Sequence, residues 1–179
     1  MRIAVFADNH WCQYSSIVRS RGERFSTRLE NQIKSLLWFE NMASAKQCDW
    51  ILCLGDFFDK PTLNAEELSA LNFVYGGSTR RIPHQFIVGN HEANDSQLAY
   101  SSVSAMGMIE QGHHLAVVSV PTRINFGDTE VCYLPYQVEC DRKSLKDLFG
   151  YNVWKRRIIF SHNDIAGIQY GASISKFGY

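Results

Sequence analysis

One design recurs along this chain: a short, uninterrupted apolar run that ends abruptly in acids, amides or imidazoles. Residues 3–7 (IAVFA) run into Asp8-Asn9-His10, 50–54 (WILCL) into Gly55-Asp56, 86–88 (FIV) into Gly89-Asn90-His91-Glu92, and 158–160 (IIF) into Ser161-His162. Apolar runs without polar alternation mark strands covered on both faces. Helical spacing fills the intervals. Leu29, Ile33, Leu36 and Leu37 follow Thr27-x-x-Glu30, which reads as a capping box, and Asn64 with Glu67 offers a second cap. Behind that cap, Leu68, Leu71, Val74 and Tyr75 form a stripe that stops at Gly76-Gly77. Strands alternating with helices predict an α/β fold with parallel pairs and right-handed crossovers.

The second half reads differently. Residues 115–120, 123–126 and 130–133 are short strand patterns, with Gly127-Asp128 placed to turn a hairpin, so antiparallel pairing is expected there. A short helix over 144–149 leads back to the strand before His162, while 165–179 is glycine-interrupted and has no clear period. At 179 residues the chain fits one domain, 1–179. Eighteen basic against eighteen acidic residues leave no net charge, so a polyanion would have to be gripped locally. The five cysteines are scattered without a C-x-x-C pair, which argues against thiolate zinc and fits reduced thiols in a cytoplasm. No run is long enough for a secretory signal or a membrane span, so neither is expected.

Chemistry gathers where the runs end. Asp8 and His10 are two residues apart at a strand exit, so both side chains leave on one face and can reach one cation. Gly55-Asp56-Phe57-Phe58-Asp59 sets two carboxylates around a tight turn, one able to bind metal and the other able to orient an imidazole. Each motif alone is weak, because turn carboxylates commonly cap backbone amides. Together, four strand exits deliver Asp8, His10, Asp56, Asn90, His91 and His162 to the strand ends where open α/β sheets bind ligands. Carboxylate, amide and imidazole without thiolate suit Mn²⁺, Fe or Zn²⁺ in a catalytic site. A carboxylate such as Asp56 could bridge two divalent ions ~3.5–4 Å apart, an arrangement suited to in-line displacement on phosphorus.

The order D-x-H, G-D-x-x-D, G-N-H-E and a later single His, spanning residues 8–162, resembles the calcineurin-like metallophosphoesterase family. The resemblance implies a layered fold of two mixed β-sheets flanked by helices. It implies that Asp8 and His10 bind a first metal, that Asp56 bridges, and that Asn90 and His162 bind a second. His91 would then assist the transition state or protonate the leaving oxygen, with Asp59 in support. Within the family, GDFFDKPTLNAEEL resembles the SbcD-type DNA-repair exonuclease branch, which implies a DNA phosphodiester substrate, Mn²⁺ and an SMC-like ATPase partner. A basic cluster after His10 (Arg19, Arg21, Arg24 and Arg28, opposed by Glu23) fits phosphate contacts, with Arg21 and Arg24 the candidate DNA-binding residues. Two alternatives stay open: a phosphatase or phosphodiesterase acting on small molecules, and a catalytically incomplete fragment or binding module of this fold.

The sequence departs from the family in one respect. The family pattern closes with a G-H-x-H motif that completes both metal shells, and no such motif follows His162. The ending reads as a truncation at the C-terminus, from which weaker metal binding, an open sheet edge and a possible homodimer are expected. Gly112-His113-His114 precedes the last motif and reads as a surface turn. His84 is expected to pack locally, and Trp11 and Tyr14 lie near enough to His10 to border the site.

Overall fold

The computed structural model describes residues 1–14, 22–76, 82–93, 114–151, 153, 155–170, 173–176 and 178–179. The first sheet is parallel throughout, in the order β1 (Ile3–Phe6), β2 (Trp50–Cys53), β3 (His84–Ile87), β4 (Leu115–Val118). Two helices, α1 (Thr27–Ala45) and α2 (Ala65–Tyr75), follow β1 and β2 in the chain. The second sheet is mixed: β5 (Thr122–Phe126) pairs antiparallel with β6 (Thr129–Leu134), which pairs parallel with β7 (Arg156–Ser161). A 3-10 turn at Glu139–Asp141 and the short α3 (Leu145–Phe149) lie between β6 and β7.

Alternation along the strands explains the layers. In β2, Cys53 faces the helices and packs with Leu29, Ile33, Leu71 and Phe86, while Leu52 faces the second sheet and packs with Ile87, Val131 and Tyr133. Each large side chain buried this way contributes about 1.5–3 kcal/mol relative to exposure. The first sheet is thereby sandwiched between helices and the second sheet. Among the described residues no helix is long and apolar enough to cross a membrane.

Several expectations change. The first sheet is not mixed, because 115–118 joins it parallel to β3 instead of entering an antiparallel meander. Leu115 and Val117 pack toward the helices and Val118 toward the second sheet, so this run is covered on both faces like its neighbours. The strand before His162 belongs to the second sheet, so the fourth exit faces the other three across the sandwich. The N-cap of α1 is Ser26, whose hydroxyl accepts from the Leu29 amide; Glu30 instead accepts from the amides of Arg24 and Phe25. The Asn64–Glu67 capping box forms in full. Leu37, about 100° around α1 from Leu36, leaves the stripe and is exposed, as is Leu68 on α2. The 165–179 stretch contains a two-stranded ribbon, β8 (Gln169–Tyr170) with β9 (Ser173–Ile174).

Candidate metal centre

Beyond the ends of β1 and β2 the two chains stay zipped together. The amides of Asp8, His10 and Trp11 donate to the carbonyls of Gly55, Asp56 and Phe57 at 3.2, 3.0 and 2.7 Å. Three residues in this zipper, Asp8, His10 and Asp56, have left-handed backbones (φ 54°, 47° and 49°). A non-glycine residue held there costs about 1–3 kcal/mol, so the surroundings must impose it. Trp11 supplies part of that restraint. Its ring is fully buried, stacks on Phe57 and donates Nε1–H to the Glu67 carbonyl, so it belongs to the core and does not border the site. From α1, Gln32 Nε2 donates to the carbonyls of Asn9 and His10 at 2.7 and 2.9 Å, and an Arg28 terminal nitrogen donates to the His10 carbonyl at 3.2 Å.

Asp56 sits at the centre, 4% exposed. Its Oδ1 accepts from the His91 amide at 3.0 Å, and its Oδ2 lies 3.2 Å from His162 Nε2 and 3.8 Å from His91 Nε2. Two groups of potential ligand atoms share it: His10, Asp56 and His91 on one side, and Asp8, Asp56 and His162 on the other. Asn90 Oδ1 joins the second group, 3.0 Å from His162 Nε2. All six residues delivered by the strand exits therefore meet. In this arrangement the Asp8 carboxylate sits with His162, and His91 sits with His10. Asp59 supports the first group, its Oδ1 3.4 Å from His10 Nδ1 and its carbonyl 2.8 Å from His91 Nδ1.

The donor chemistry fits divalent cations. His162 Nδ1 lies 2.9 Å from the Leu54 carbonyl, which holds a proton on that nitrogen and aims Nε2 at two oxygens, from Asp56 and Asn90. His10 Nδ1 is buried and makes no hydrogen bond, the Asp59 carboxylate standing 3.4 Å away, and a nitrogen so placed in a polar cluster is one a cation would satisfy. Burial alone would lower the His162 pKa, but the hydrogen bond and charge of Asp56 and the Leu54 carbonyl outweigh it, so the pKa rises above its ordinary 6.5. For Asp56, burial raises the pKa, yet the His162 bond, the His91 amide and both imidazole charges leave it below 3.8.

A profile for calcineurin-like phosphoesterases (Metallophos) matches residues 1–177. The chain belongs to this family. Metal-dependent phosphoester hydrolysis is the chemistry that membership brings, and the ligand groups around Asp56 are where this phosphoesterase can hold its divalent ions. No curated protein matches the chain significantly.

Residues beyond the expected ligands also serve the centre. Glu92, the last residue of G-N-H-E, is 3% exposed and its carboxylate accepts from the amides of Asp56, Phe58 and Gly89 at 3.2, 2.9 and 2.6 Å. It staples the second and third strand exits together. Its position three residues after Gly89 was the available signal, since an acid there can fold back onto loop amides. Gly89 and Gly55 permit close approach: a Cβ at Gly89 would collide with the Asp56 carboxylate and amide, and one at Gly55 (φ 114°) would lie 2.5 Å from the His162 ring. Asn163 ties the exits of β6 and β7, donating to the Pro135 carbonyl and accepting from the Gln137 amide.

Arg24 is elsewhere, its guanidinium over the rings of Phe25 and Phe73. Arg19 and Arg21 lie outside the described residues, as do Gly112 and His113. His84 is buried in β3 with Nδ1 3.0 Å from the Ile82 carbonyl, a local contact as expected. Tyr14 is exposed. A cleft of about 630 Å³ opens beside the centre, lined by Asp8, Asn90, Tyr136, Ser161, His162 and Asp164.

Proposed function

We propose that this phosphoesterase hydrolyses phosphodiester bonds in DNA, using two divalent ions, with Mn²⁺ the favoured metal. The observation that carries the two-ion reading is Asp56, buried and shared by both ligand groups. Bound there, divalent ions supply charge neutralisation for phosphoryl oxygens and make water acidic enough to attack at neutral pH. Asp8, Asp56, Asn90, His10 and His162 hold the ions in this reading. His91 works on the substrate: Nδ1–H donates to the Asp59 carbonyl, and in the imidazolium form Nε2–H gives its proton to the departing oxygen, leaving neutral imidazole. The DNA assignment rests on the resemblance of GDFFDKPTLNAEEL to the SbcD-type branch, and with it come an SMC-like ATPase partner and a cytoplasmic setting.

The test is hydrolysis of bis-p-nitrophenyl phosphate and of DNA across Mn²⁺, Fe²⁺, Zn²⁺ and Co²⁺, with metal counted per chain. Activity with Mn²⁺ that falls about 10²-fold or more in His91→Ala supports the assignment, that being the usual worth of a positioned proton donor. Absence of hydrolysis with every metal rejects it. Small phosphomonoesters are the alternative substrates, favoured if DNA fails to compete with them.

A further inference from the structure

A second cleft, of about 640 Å³, is lined by Arg142, Lys143, Lys176, Ser144, Tyr179 and Glu139. Three cationic side chains line it with one acidic side chain, Glu139. Some cations elsewhere are paired, Lys60 with Glu67, Lys155 with Asp128, and Arg123 and Arg157 with Glu130; the three here instead share one concavity. Among the described residues no carboxylate lies within ion-pairing distance of Arg142, Lys143 or Lys176. The guanidinium of Arg142 is 5.2 Å from the Tyr179 ring centroid and its Nε is enclosed without a partner, so an anion would meet it at the terminal nitrogens. Three unpaired cations gathered in one concavity give it a positive local potential, which attracts an anion.

The two clefts adjoin. Asp164, on the wall of the metal cleft, accepts from the Tyr179 amide at 2.9 Å, and Ala166 donates to the Tyr179 carbonyl at 3.0 Å. A second link is the chain itself, which runs from Tyr136 in the metal cleft through Gln137, bonded to Asn163, to Glu139 and Arg142. A substrate held at the ions and long enough to cross this wall would place a further phosphate among the cations.

We infer that Arg142, Lys143 and Lys176 form a distal phosphate site that grips an internucleotide phosphate of a nucleic-acid strand whose scissile phosphodiester lies at the metal centre. This rests on the phosphodiesterase reading above. It adds that the substrate is an extended strand, because a molecule with one phosphate cannot occupy both clefts. Each phosphate contact releases a counterion, so the site would show itself as salt-dependent affinity.

The experiment uses the full chain and the variant Arg142→Gln/Lys143→Gln/Lys176→Gln, with Lys143→Gln/Lys176→Gln as a milder control and thermal unfolding to verify folding of both. Anisotropy of a labelled single-stranded oligonucleotide reads binding without catalysis. The expected result is roughly tenfold weaker binding by the triple variant, with the slope of log K against log salt smaller by about 2, at ~0.7 per lost contact on a single strand. Kinetics then separate the sites: KM for the oligonucleotide rises while kcat/KM for bis-p-nitrophenyl phosphate stays unchanged. Unaltered oligonucleotide binding and salt slope overturn the distal site, whether or not any metal supports hydrolysis. Equal losses on both substrates also overturn it. Pyrophosphate competing as well as the oligonucleotide, at equal phosphate concentration, overturns the strand in favour of a small nucleotide. If hydrolysis of every substrate is absent but salt-dependent binding is lost in the variant, the phosphodiesterase reading fails and the anion site stands.

Discussion

At the scale of single residues, Glu92 does for the loops what the ligands do for the ions. Its carboxylate accepts three buried amides, and burial still pushes its pKa above the ordinary 4.5 although those amides oppose the shift. Replacing it by Ala strands three donors, each worth about 1–3 kcal/mol when buried and unpaired, so Glu92→Ala should lose at least about 3 kcal/mol in denaturant unfolding. Metal affinity should fall with it, because the amide of Asp56 loses its anchor. The Asp56–His162 pair sets the pH behaviour of the metal-free protein. Asp56 has a lowered pKa, so its contribution is present above 3.8 and is lost as pH falls through its folded value. His162 has a raised pKa, so its contribution is complete below 6.5 and disappears as pH rises through its folded value. Thermal midpoints measured in chelator should therefore fall as pH drops below 3.8 and fall again as it rises through the His162 value, a decline that His162→Asn should flatten; Glu92, raised by burial, adds its own loss as pH climbs above 4.5.

At the scale of elements, the centre depends on how closely three strand exits approach. Gly89 is the tightest point, since any side chain there meets both the carboxylate and the backbone of Asp56. Neither group can yield without moving a ligand. Gly89→Ala should remove metal binding by calorimetry while leaving the far-UV circular dichroism of the helices intact, because α1 and α2 pack on the other face of the first sheet. Gly55 and Gly89 stand in the quoted motifs, so their presence was legible. The collisions that require them were not, because each involves a residue from another segment. The cap of α1 shows the same limit locally: the pattern Thr27-x-x-Glu30 points to Thr27, but the chain folds back so that Glu30 takes the amides of Arg24 and Phe25, and Ser26 becomes the cap.

At the scale of the molecule, the ions would bridge elements from both sheets, with Asp8 and Asp56 from the first and His162 from the second. Binding only to the folded state stabilises by mass action, about 2.7 kcal/mol for each ion site at a hundred times its Kd. Mn²⁺ should raise the thermal midpoint, chelator should reverse the rise, and Asp56→Asn should abolish most of it, because both ligand groups lose their shared oxygen.

The apolar runs and their polar exits determined the parallel sheet, the two crossover helices and the identities of the residues that gather around Asp56, because burial on both faces and ligand chemistry are local properties of a few adjacent side chains. Tertiary structure alone decided that 115–118 completes the first sheet, that His162 arrives from the opposite sheet, that Glu92 and Gln32 hold the loops, and that Arg142, Lys143 and Lys176 share a cleft. Each of these depends on contacts between segments far apart in the chain, and pairing energies between distant segments leave no trace in the pattern of either one.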